Sequence, residues 1–491
     1  MVQIDDNYPT PTSVSQKSTV ALLVRPSPSS RSEKPTPIQS GILDTNLHLG
    51  FLGRHLLQGL PARYTSQDAS QPWLLFWSLQ SLSLLKVELD QGNKDKAAEG
   101  ILAMQNPNEG GFGGGPGQAA HLLPTYAAIC TLAIVGAPDP SSKPDSDSVK
   151  SITPWTRIDR RALYRLFLSL KHPDGSFRVS SNGEVDVRGV YCLLAVAKLL
   201  NMMTEELVRG TKEWVRGCQT YEGGFASAAI GIGEGRWAPL GEAHGGYTFC
   251  ALAAWVLLEL EFPSSSSSSE KKLNFRNLRR WLVQMQGGED ELYGFRGRTN
   301  KLVDGCYSWW VGGCFALLDK LEERDGDVIW NPEGLKEYIL YAAQHPAGGL
   351  RDKPPKSPDM YHTLYNLAGL SSAQYASQPQ TSSPTSSDQS SPSSSSSESP
   401  APAQGAPSDS SITSSTPLSS SSSSSTVSDS ASSTQAQPSS TPRATPTTPK
   451  TAASLPPAIT LNGTDPLFNL TKTHAEAMMK WFREEEREDF R

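Results

Sequence analysis

The stretch QTYEGGF (219–225) decides how this sequence folds, because variants of it recur between apolar runs along most of the chain. In each copy a polar turn ends in small residues, mostly glycine, that stand close to an aromatic residue or a leucine. The other copies are QNPNEGGF (105–112), KHPDGSF (171–177), YGFRGR (293–298) and QHPAGGL (344–350). Their aromatic or leucine positions lie 48 to 70 residues apart, which leaves room for two helices between copies.

The runs between these copies are typical of helices. PWLLFWSLQSLSLL (72–85), RRALYRLFLSLK (160–171) and YTFCALAAWVLLEL (247–260) exceed the usual strand length and favour Leu and Ala over alternating β-branched residues. Glycine supplies the positive φ that ends a helix, and the following apolar residue fixes the turn. The sequence therefore predicts an all-α fold of stacked helical hairpins. An α/α toroid of about six hairpins suits this pattern, although ring closure is not visible in the sequence.

Composition divides the chain into four segments. Residues 1–40 are rich in Ser, Pro and Thr, and residues 376–458 consist mainly of Ser, Pro, Thr, Gln and Ala without Trp, Phe or Tyr. Such segments cannot bury enough apolar area to offset their conformational entropy, so we expect both to be disordered. A shorter Ser run, 264–269, is interpreted as a surface loop. Residues 41–375 then form the toroid, and 459–491 contain a final helix that docks on it.

Charge and cysteine content exclude several classes of protein. With 44 basic and 50 acidic residues the net charge is −6, which does not favour nucleic acid or an anionic membrane as partner. The six cysteines form no CxxC motif, and the N-terminus does not resemble a secretory signal, so we expect reduced thiols. No apolar run approaches the length of a transmembrane helix. We therefore expect a soluble, cytoplasmic protein.

Two stretches carry candidate chemistry. In GFRGRTNKLVDGCYSWW (294–310), Asp304 and Cys306 are separated by one glycine and could bind Zn²⁺ if a nitrogen ligand joined them. The best distant candidate is His362, which lies about one repeat further along the chain. An Asp-Gly turn beside a buried cysteine is the alternative. Three ligands would leave a fourth position open, as in catalytic zinc sites.

The second stretch, GEAHGGYTFC (241–250), places His244 at a predicted helix start, where N–H groups favour anions. With Arg298, Lys301 and Tyr307 it could form a diphosphate pocket, although a histidine that merely completes a turn is the alternative. GGFGGGPGQ (110–118) is glycine-rich but lacks the GK[ST] ending of a phosphate loop, so we interpret it as a turn.

These stretches resemble the β subunits of protein farnesyltransferases. The similarity runs in order through most of 48–374, and includes RHLLQGLPARYTSQDASQPWLLFW (54–77), PDGSFRVSSNGEVDVRGVYC (173–192) and DKPPKSPDMYHTLYNLAGLSSAQ (352–374). The resemblance implies an α/α toroid with one catalytic zinc, a requirement for Mg²⁺, and an obligate helical α subunit. The substrates would be farnesyl diphosphate, which supplies a 15-carbon prenyl group, and proteins that end in a CaaX motif, such as small GTPases.

The resemblance also implies a role for individual residues. The zinc ligands would be Asp304, Cys306 and His362, and Asp352 would support magnesium. The diphosphate-binding residues would be His244, Arg298, Lys301 and Tyr307. The walls of the isoprenoid tunnel would be Arg188, Tyr191, Tyr247, Cys250 and Trp310, with Trp73 and Tyr365 at its floor. The peptide would contact Trp73, Trp77, Tyr361, Ser70, Leu123 and Pro124, and its carboxylate would be reached by His121, Glu184 and Arg188.

Three departures from the family and three alternatives remain. Position 123 is Leu where the family has Ala, the loop 226–240 is longer, and 376–458 interrupts the chain. The first alternative is the β subunit of geranylgeranyltransferase type I, which differs in prenyl length. The second, a terpene cyclase, would require a DDxxD or DxDD motif, and neither occurs. The third, a non-catalytic scaffold of helical hairpins, predicts no metal and no inward cationic cluster.

Overall fold

A computed structural model describes residues 8–25, 38–138, 153–263, 272–322, 328–376 and 459–484. The described helices are α1 (Pro11–Val20), α2 (Thr45–Leu57), α3 (Gln71–Leu84), α4 (Gln91–Leu102), α5 (Leu122–Val135), α6 (Arg160–Leu170), α7 (Val187–Leu199), α8 (Glu205–Val208), α9 (Thr211–Gly217), α10 (Gly245–Glu261), α11 (Phe275–Gln284), α12 (Tyr307–Trp310), α13 (Gly312–Glu322), α14 (Pro332–Glu337), α15 (Met360–Ala376) and α16 (Lys472–Glu484). A π-helical turn, Tyr338–Ala343, follows α14. The predicted Ser loop 264–269 and the Ser/Pro/Thr-rich segment, apart from Ala376, lie outside the described residues.

The helices form two concentric layers. Within the described chain the inner layer is a ring in which each helix packs on the next: α3, α5, α7, α10, the pair α12 and α13, and α15, which returns to α3. This closed ring confirms the predicted toroid. Inner helices are buried almost all round, and every residue of α5 except Leu123 is buried. Outer helices such as α6 bury one face only, while Arg161 and Arg165 stay exposed on the other.

The recurring turns hold the layers together. Each closes with an isolated antiparallel bridge to its aromatic residue or leucine, and each of these five side chains is fully buried: Phe112, Phe177, Phe225, Phe295 and Leu350. In four of the five turns a glycine has a left-handed backbone and another segment passes close by, whereas in the turn before Phe295 the left-handed residues are Leu292 and Tyr293. A Cβ on Gly175 (φ +90°) would lie 2.1 Å from Gly210, and one on Gly348 (φ +87°) would lie 2.2 Å from Leu47 of α2. The contact with α2 joins the last turn to the first outer helix.

Hydrogen bonds between successive repeats align the inner helices. The N–H group at the start of an inner helix donates to a carbonyl in the loop of the next repeat. The five bonds are Gln71 to Gly114 (2.9 Å), Leu122 to Val179 (2.8 Å), Val187 to Ser227 (2.8 Å), Gly245 to Gly297 (2.8 Å) and Gly305 to Asp352 (2.8 Å). The inner helices other than α13, which continues from α12, therefore begin at one end of the ring, which we call the rim.

The N-terminal segment departs from the prediction of disorder over residues 11–20. Thr10 and Ser13 form a capping box that starts α1, with proline at the first helical position. Gln16 bonds to the buried Glu291, and Arg25 pairs with Glu337 at 2.6 Å. The Ser- and Thr-rich sequence has a weak intrinsic preference for the helix, and these contacts with the toroid stabilise it.

Two short hairpins depart from the purely helical prediction. Strands β1 (Ala228–Gly231) and β2 (Trp237–Leu240) pair in the long loop before α10, and their register places Ile230 opposite Ala238. Near the C-terminus β3 (Thr464–Asp465) pairs with β4 (Leu470–Thr471). Strands of two to four residues are too short to give a clear alternating pattern, so the sequence does not reveal them.

The C-terminal helix packs on the body, where the sequence predicts a docked helix. Ala475, Met478 and Phe482 of α16 are buried, and the helix contacts α5 and α7. All six cysteines are free and buried. Among the described helices, none combines the length and the hydrophobicity that a membrane span requires.

Candidate active site

The rim gathers polar side chains because of how the inner helices begin. Near each of five helix starts, a His or Asp side chain accepts a backbone N–H. The pairs are His121 with Leu123 (3.2 Å), Asp186 with Arg188 (2.8 Å), His244 with Gly246 (3.0 Å), Asp304 with Cys306 (2.9 Å) and Asp359 with His362 (2.7 Å). The helix N-termini carry partial positive charge, so this end of the ring favours anions.

Asp304, Cys306 and His362 form a candidate metal site. One donor atom from each lies within 4.8 Å of the others, and His362 Nε2 is 3.3 Å from Asp304 Oδ1. Burial would raise the pKa of Asp304, but its hydrogen bond with His362, the charge of that ring and the hydrogen bonds from Cys306 together hold the pKa well below its usual range. Burial, together with the Asp304 carboxylate, raises the pKa of the Cys306 thiol. A bound cation would keep the pKa of Asp304 low and would lower the pKa of Cys306, so that both ligands would be charged.

Asp359 orients the histidine of this cluster. Its Oδ2 lies 2.7 Å from His362 Nδ1, while its Oδ1 accepts the His362 backbone N–H. Burial would lower the pKa of His362, but the hydrogen bonds and charges of Asp304 and Asp359 together raise it to about 10. If a cation took the place of the Nε2 proton, Asp359 would hold the remaining proton on Nδ1 and leave the Nε2 lone pair for the metal. Sequence reasoning missed Asp359, although an Asp three residues before a candidate ligand at a helix start is a recognisable signal.

His244 and Tyr307 form a second polar group. The Tyr307 hydroxyl is 3.0 Å from His244 Nε2, and His244 Nδ1 accepts the Gly246 N–H, so the neutral imidazole carries its proton on Nε2. Burial, with a smaller effect of Arg298, lowers the pKa of His244 to about 4. Burial also raises the pKa of Tyr307. Both are therefore neutral groups that can donate a hydrogen bond at neutral pH.

Arg298 lies within electrostatic reach of both His244 and Tyr307. Arg298 pairs with Glu242, two residues before His244, at 2.5 Å. Lys301 is exposed, and it lies two residues before Val303, which forms an isolated bridge with Arg296. Asp352 is paired with its neighbour Lys353. Burial raises the pKa of Asp352, and the nearby Asp304 carboxylate raises it further. The structure thus brings Asp352 within electrostatic reach of the metal cluster.

The residues predicted to meet a peptide carboxylate lie together at the starts of α5 and α7. Arg188 is held by the buried Asp186, whose Oδ2 accepts its Nε–H at 3.0 Å, and by Glu184 at 3.3 Å. Burial lowers the pKa of His121, and the charges that act on it are those of Glu184, Arg188 and Asp186. Asp186 was not predicted, and it fixes the direction of the Arg188 guanidinium.

Eight aromatic residues form a closed circle inside the ring, which we call the aromatic belt. Adjacent ring centroids lie 4.4 to 5.6 Å apart, and each inner helix except α13 contributes at least one ring. In order around the ring the members are Trp73, Tyr126, Tyr191, Phe249, Trp310, Tyr365, Tyr361 and Trp77. Tyr126 and Phe249 were not predicted, because α5 and α10 are apolar all round and no face stands out.

The other predicted residues lie beside the belt or at the rim. Trp310 Nε1 donates to the Tyr361 hydroxyl at 2.9 Å, and Cys250 is buried next to Phe249. The Tyr247 ring is 4.9 Å from His244 and lies beneath the Arg188 guanidinium. Pro124 is buried, whereas Ser70, at the start of α3, and Leu123 are half-buried. The predicted metal, diphosphate and prenyl residues thus converge on one end of one lumen.

Comparisons with known proteins agree with this arrangement. Residues 43–418 match the prenyltransferase α–α toroid domain. The protein farnesyltransferase subunit β of Schizosaccharomyces pombe is 42% identical over 341 residues, which are 68% of this chain and 79% of that protein. Four other subunits of that name are 34–41% identical, and this chain covers 63–82% of their lengths.

Two further likenesses involve a different prenyl group. The geranylgeranyl transferase type-1 subunit β of Arabidopsis thaliana is 28% identical over 372 residues, which are 69% of this chain and 88% of that protein. The solved structure of Candida albicans protein geranylgeranyltransferase-I complexed with GGPP superposes with a TM-score of 0.54 at 23% identity. That superposition covers 68% of this chain and 92% of the solved chain, and it concerns the fold alone.

Proposed function

The chain belongs to the prenyltransferase α–α toroid family and, within it, to the protein farnesyltransferase β subunits, and we propose that it catalyses farnesyl transfer to the cysteine of CaaX motifs. One observation carries the proposal: an Asp-Cys-His cluster lies at the rim of an aromatic lumen, next to a group of neutral and cationic hydrogen-bond donors. A non-catalytic scaffold would have no reason to bring these groups together.

The donor set of the cluster fits Zn²⁺. A carboxylate oxygen, a thiolate sulfur and an imidazole nitrogen are preferred zinc ligands, and three of them leave a position for the thiol of a protein substrate. Zinc bound by Asp304, Cys306 and His362 would lower the pKa of that thiol, so that the thiolate is present near neutral pH. With a metal at Nε2, Asp359 would hold the remaining His362 proton on Nδ1.

The diphosphate would bind beside the cluster. His244 Nε2–H, the Tyr307 hydroxyl, Arg298 and Lys301 would donate to its oxygens, and their positions would stabilise the charge that grows as the diphosphate departs. We propose that Asp352 shares this task by holding Mg²⁺ against the same oxygens, in exchange for its pairing with Lys353.

The lumen would bind the apolar parts of both substrates. Burial of a prenyl chain against the aromatic belt would contribute roughly 25 cal/mol of binding free energy per Å² of apolar surface removed from water. A CaaX peptide would lie across Trp77 and Tyr361, with its terminal carboxylate towards Arg188 and His121. We further propose that the chain works in the cytoplasm in an obligate heterodimer with a helical α subunit, and that its substrates are CaaX proteins such as small GTPases.

The test is to co-express the chain with a farnesyltransferase α subunit and to measure zinc content and prenyl transfer together. Wild-type complex should contain one zinc and transfer farnesyl in preference to geranylgeranyl. Cys306→Ala and His362→Ala should lose both zinc and transfer. Cys218→Ala is the matched control, since this buried thiol bonds to the Trp214 carbonyl, away from the cluster.

Each result has a definite meaning. Full zinc in Cys306→Ala or His362→Ala would remove that residue from the metal site. A preference for geranylgeranyl diphosphate would assign the chain to the type I geranylgeranyltransferases instead. Absence of any transfer by a folded, zinc-loaded complex would contradict the proposed activity.

A further inference from the structure

The end of the ring opposite the rim is covered by residues 461–471, which we call the C-terminal plug. Asn462 donates its backbone N–H to the Leu84 carbonyl at 3.0 Å and its side-chain amide to the Ser83 carbonyl at 2.8 Å. Its own carbonyl accepts from Ser371 at 2.7 Å. These partners lie at the C-terminal end of α3 and towards that of α15, so the plug satisfies carbonyls that a helix end leaves free.

The tip of the plug is held by two tyrosines of the lumen. The Tyr126 hydroxyl donates to the Phe468 carbonyl at 2.7 Å, and the Tyr191 hydroxyl donates to the Leu467 carbonyl at 3.0 Å. Leu467 is 5% exposed and Phe468 is 1% exposed. Because a buried hydroxyl or carbonyl without a partner is destabilising, these two bonds fix where the tip lies.

The same two tyrosines belong to the aromatic belt. The Tyr126 ring is 5.6 Å from Trp73, and the Tyr191 ring is 5.6 Å from Phe249. The ring of each tyrosine is therefore part of the belt, and its hydroxyl bonds to the plug. The carbonyls of the plug tip thus lie one hydrogen bond, 2.7 to 3.0 Å, from the hydroxyls of two belt tyrosines.

We propose that the C-terminal plug is a specificity-determining part of the prenyl site, and that it limits the depth of the lumen. Leu467 and Phe468 supply the barrier, and Tyr126 and Tyr191 act as positioning residues through their hydroxyls. The inference rests on the proposed prenyl-diphosphate function. The plug would be a second barrier besides Trp73 and Tyr365. It belongs to a segment that lies about ninety residues beyond the end of α15 in the chain.

The test measures binding of farnesyl and geranylgeranyl diphosphate to the complex with the α subunit, before any transfer. Phe468→Ala and Leu467→Ala should each raise the affinity for the longer diphosphate relative to the shorter one by about tenfold or more, the scale on which pockets discriminate apolar groups. Tyr126→Phe keeps the ring and loses the anchor, so it should shift the ratio in the same direction and speed amide exchange in 461–471.

Met478→Ala is the matched control. Its side chain is fully buried on α16, so the variant weakens packing of the same C-terminal segment at a residue outside 461–471. It should lower thermal stability and leave the affinity ratio unchanged. If wild type binds farnesyl diphosphate but folded Phe468→Ala and Leu467→Ala keep the wild-type ratio of affinities, the role of the plug is overturned. Failure of wild type to bind either diphosphate would overturn the proposed function itself.

Discussion

Replacing Asp359 with Asn should weaken zinc binding without unfolding the protein. The carboxylate makes two bonds with His362: one to the backbone N–H, which caps α15, and one to Nδ1 of the ring, both at 2.7 Å. An Asn oxygen can still cap the helix. Its NH₂ group, however, would donate to Nδ1 and drive the ring proton to Nε2, the atom that faces Asp304.

The expected loss follows from the geometry. Removing the partner of a metal-binding histidine usually lowers metal affinity by about 10–100-fold. The Asp359 side chain is 38% exposed, so water can replace part of the lost bond. We therefore expect a loss nearer tenfold, or about 1.4 kcal/mol.

The assay is competition for zinc with a chelator of known affinity, combined with thermal unfolding. Asp359→Asn should shift the zinc competition and change the melting temperature little, whereas Asp359→Ala should change both. Asp159→Ala is the control: Asp159 caps α6 in the same way, accepting the Ala162 N–H at 2.8 Å, but contacts none of the three ligands. Zinc affinity in Asp359→Asn equal to that of wild type would refute the role of Asp359 in orienting His362.

Four further predictions concern single residues. Trp73→Thr should admit geranylgeranyl diphosphate, since the indole closes the belt between Trp77 and Tyr126; an unchanged preference with lower stability would make it a core residue only. Leu123→Ala should raise kcat/KM for CaaX peptides ending in Met or Gln relative to peptides ending in Ser or Ala, because a side chain that does not fit such a pocket costs about 1–3 kcal/mol of transition-state binding. Equal changes for all four peptides would show that Leu123 does not set the size of this pocket. Asp352→Ala should flatten the dependence of turnover on Mg²⁺, and an identical titration would place the magnesium role elsewhere. Burial lowers the pKa of His474 to about 4, so its stabilising effect is complete above the unfolded value of 6.5 and is lost as the pH falls towards 4. We expect α16 to lose about 2 kcal/mol of docking free energy at pH 5 by hydrogen exchange, and His474→Asn to remove that pH dependence.

Repetition explains how much of the fold could be predicted. Four of the five copies have glycine at a left-handed position, and every copy has a buried apolar residue close to it, so the copies mark the ends of helices. The same repetition linked His362 to Asp304 and Cys306, because residues about one repeat apart lie at equivalent places in neighbouring hairpins. Closure was not predictable, since the contact of α15 with α3 depends on the accumulated rotation between hairpins.

Apart from Asp359, whose signal is local, most of the missed parts share a cause: their signals are tertiary. Tyr126 and Phe249 lie on helices that are apolar on every side, so only packing shows which side faces the lumen. Helix α1 has a weak intrinsic preference and depends on contacts such as Arg25 with Glu337. Asp186 resembles any helix cap until Arg188 is seen to fold back on it.

Closure of the ring has a consequence for how the metal site appears during folding. An open array of hairpins can fray from its terminal units, whereas a closed one has no terminal unit, so its inner helices should separate together. The contact that closes it, between α3 and α15, joins residues almost three hundred positions apart, and such distant contacts form late. His362 lies on α15, the last helix to join, whereas Asp304 and Cys306 precede it. Tight zinc binding should therefore report the completed circle, and partly folded chains should be unable to retain the metal.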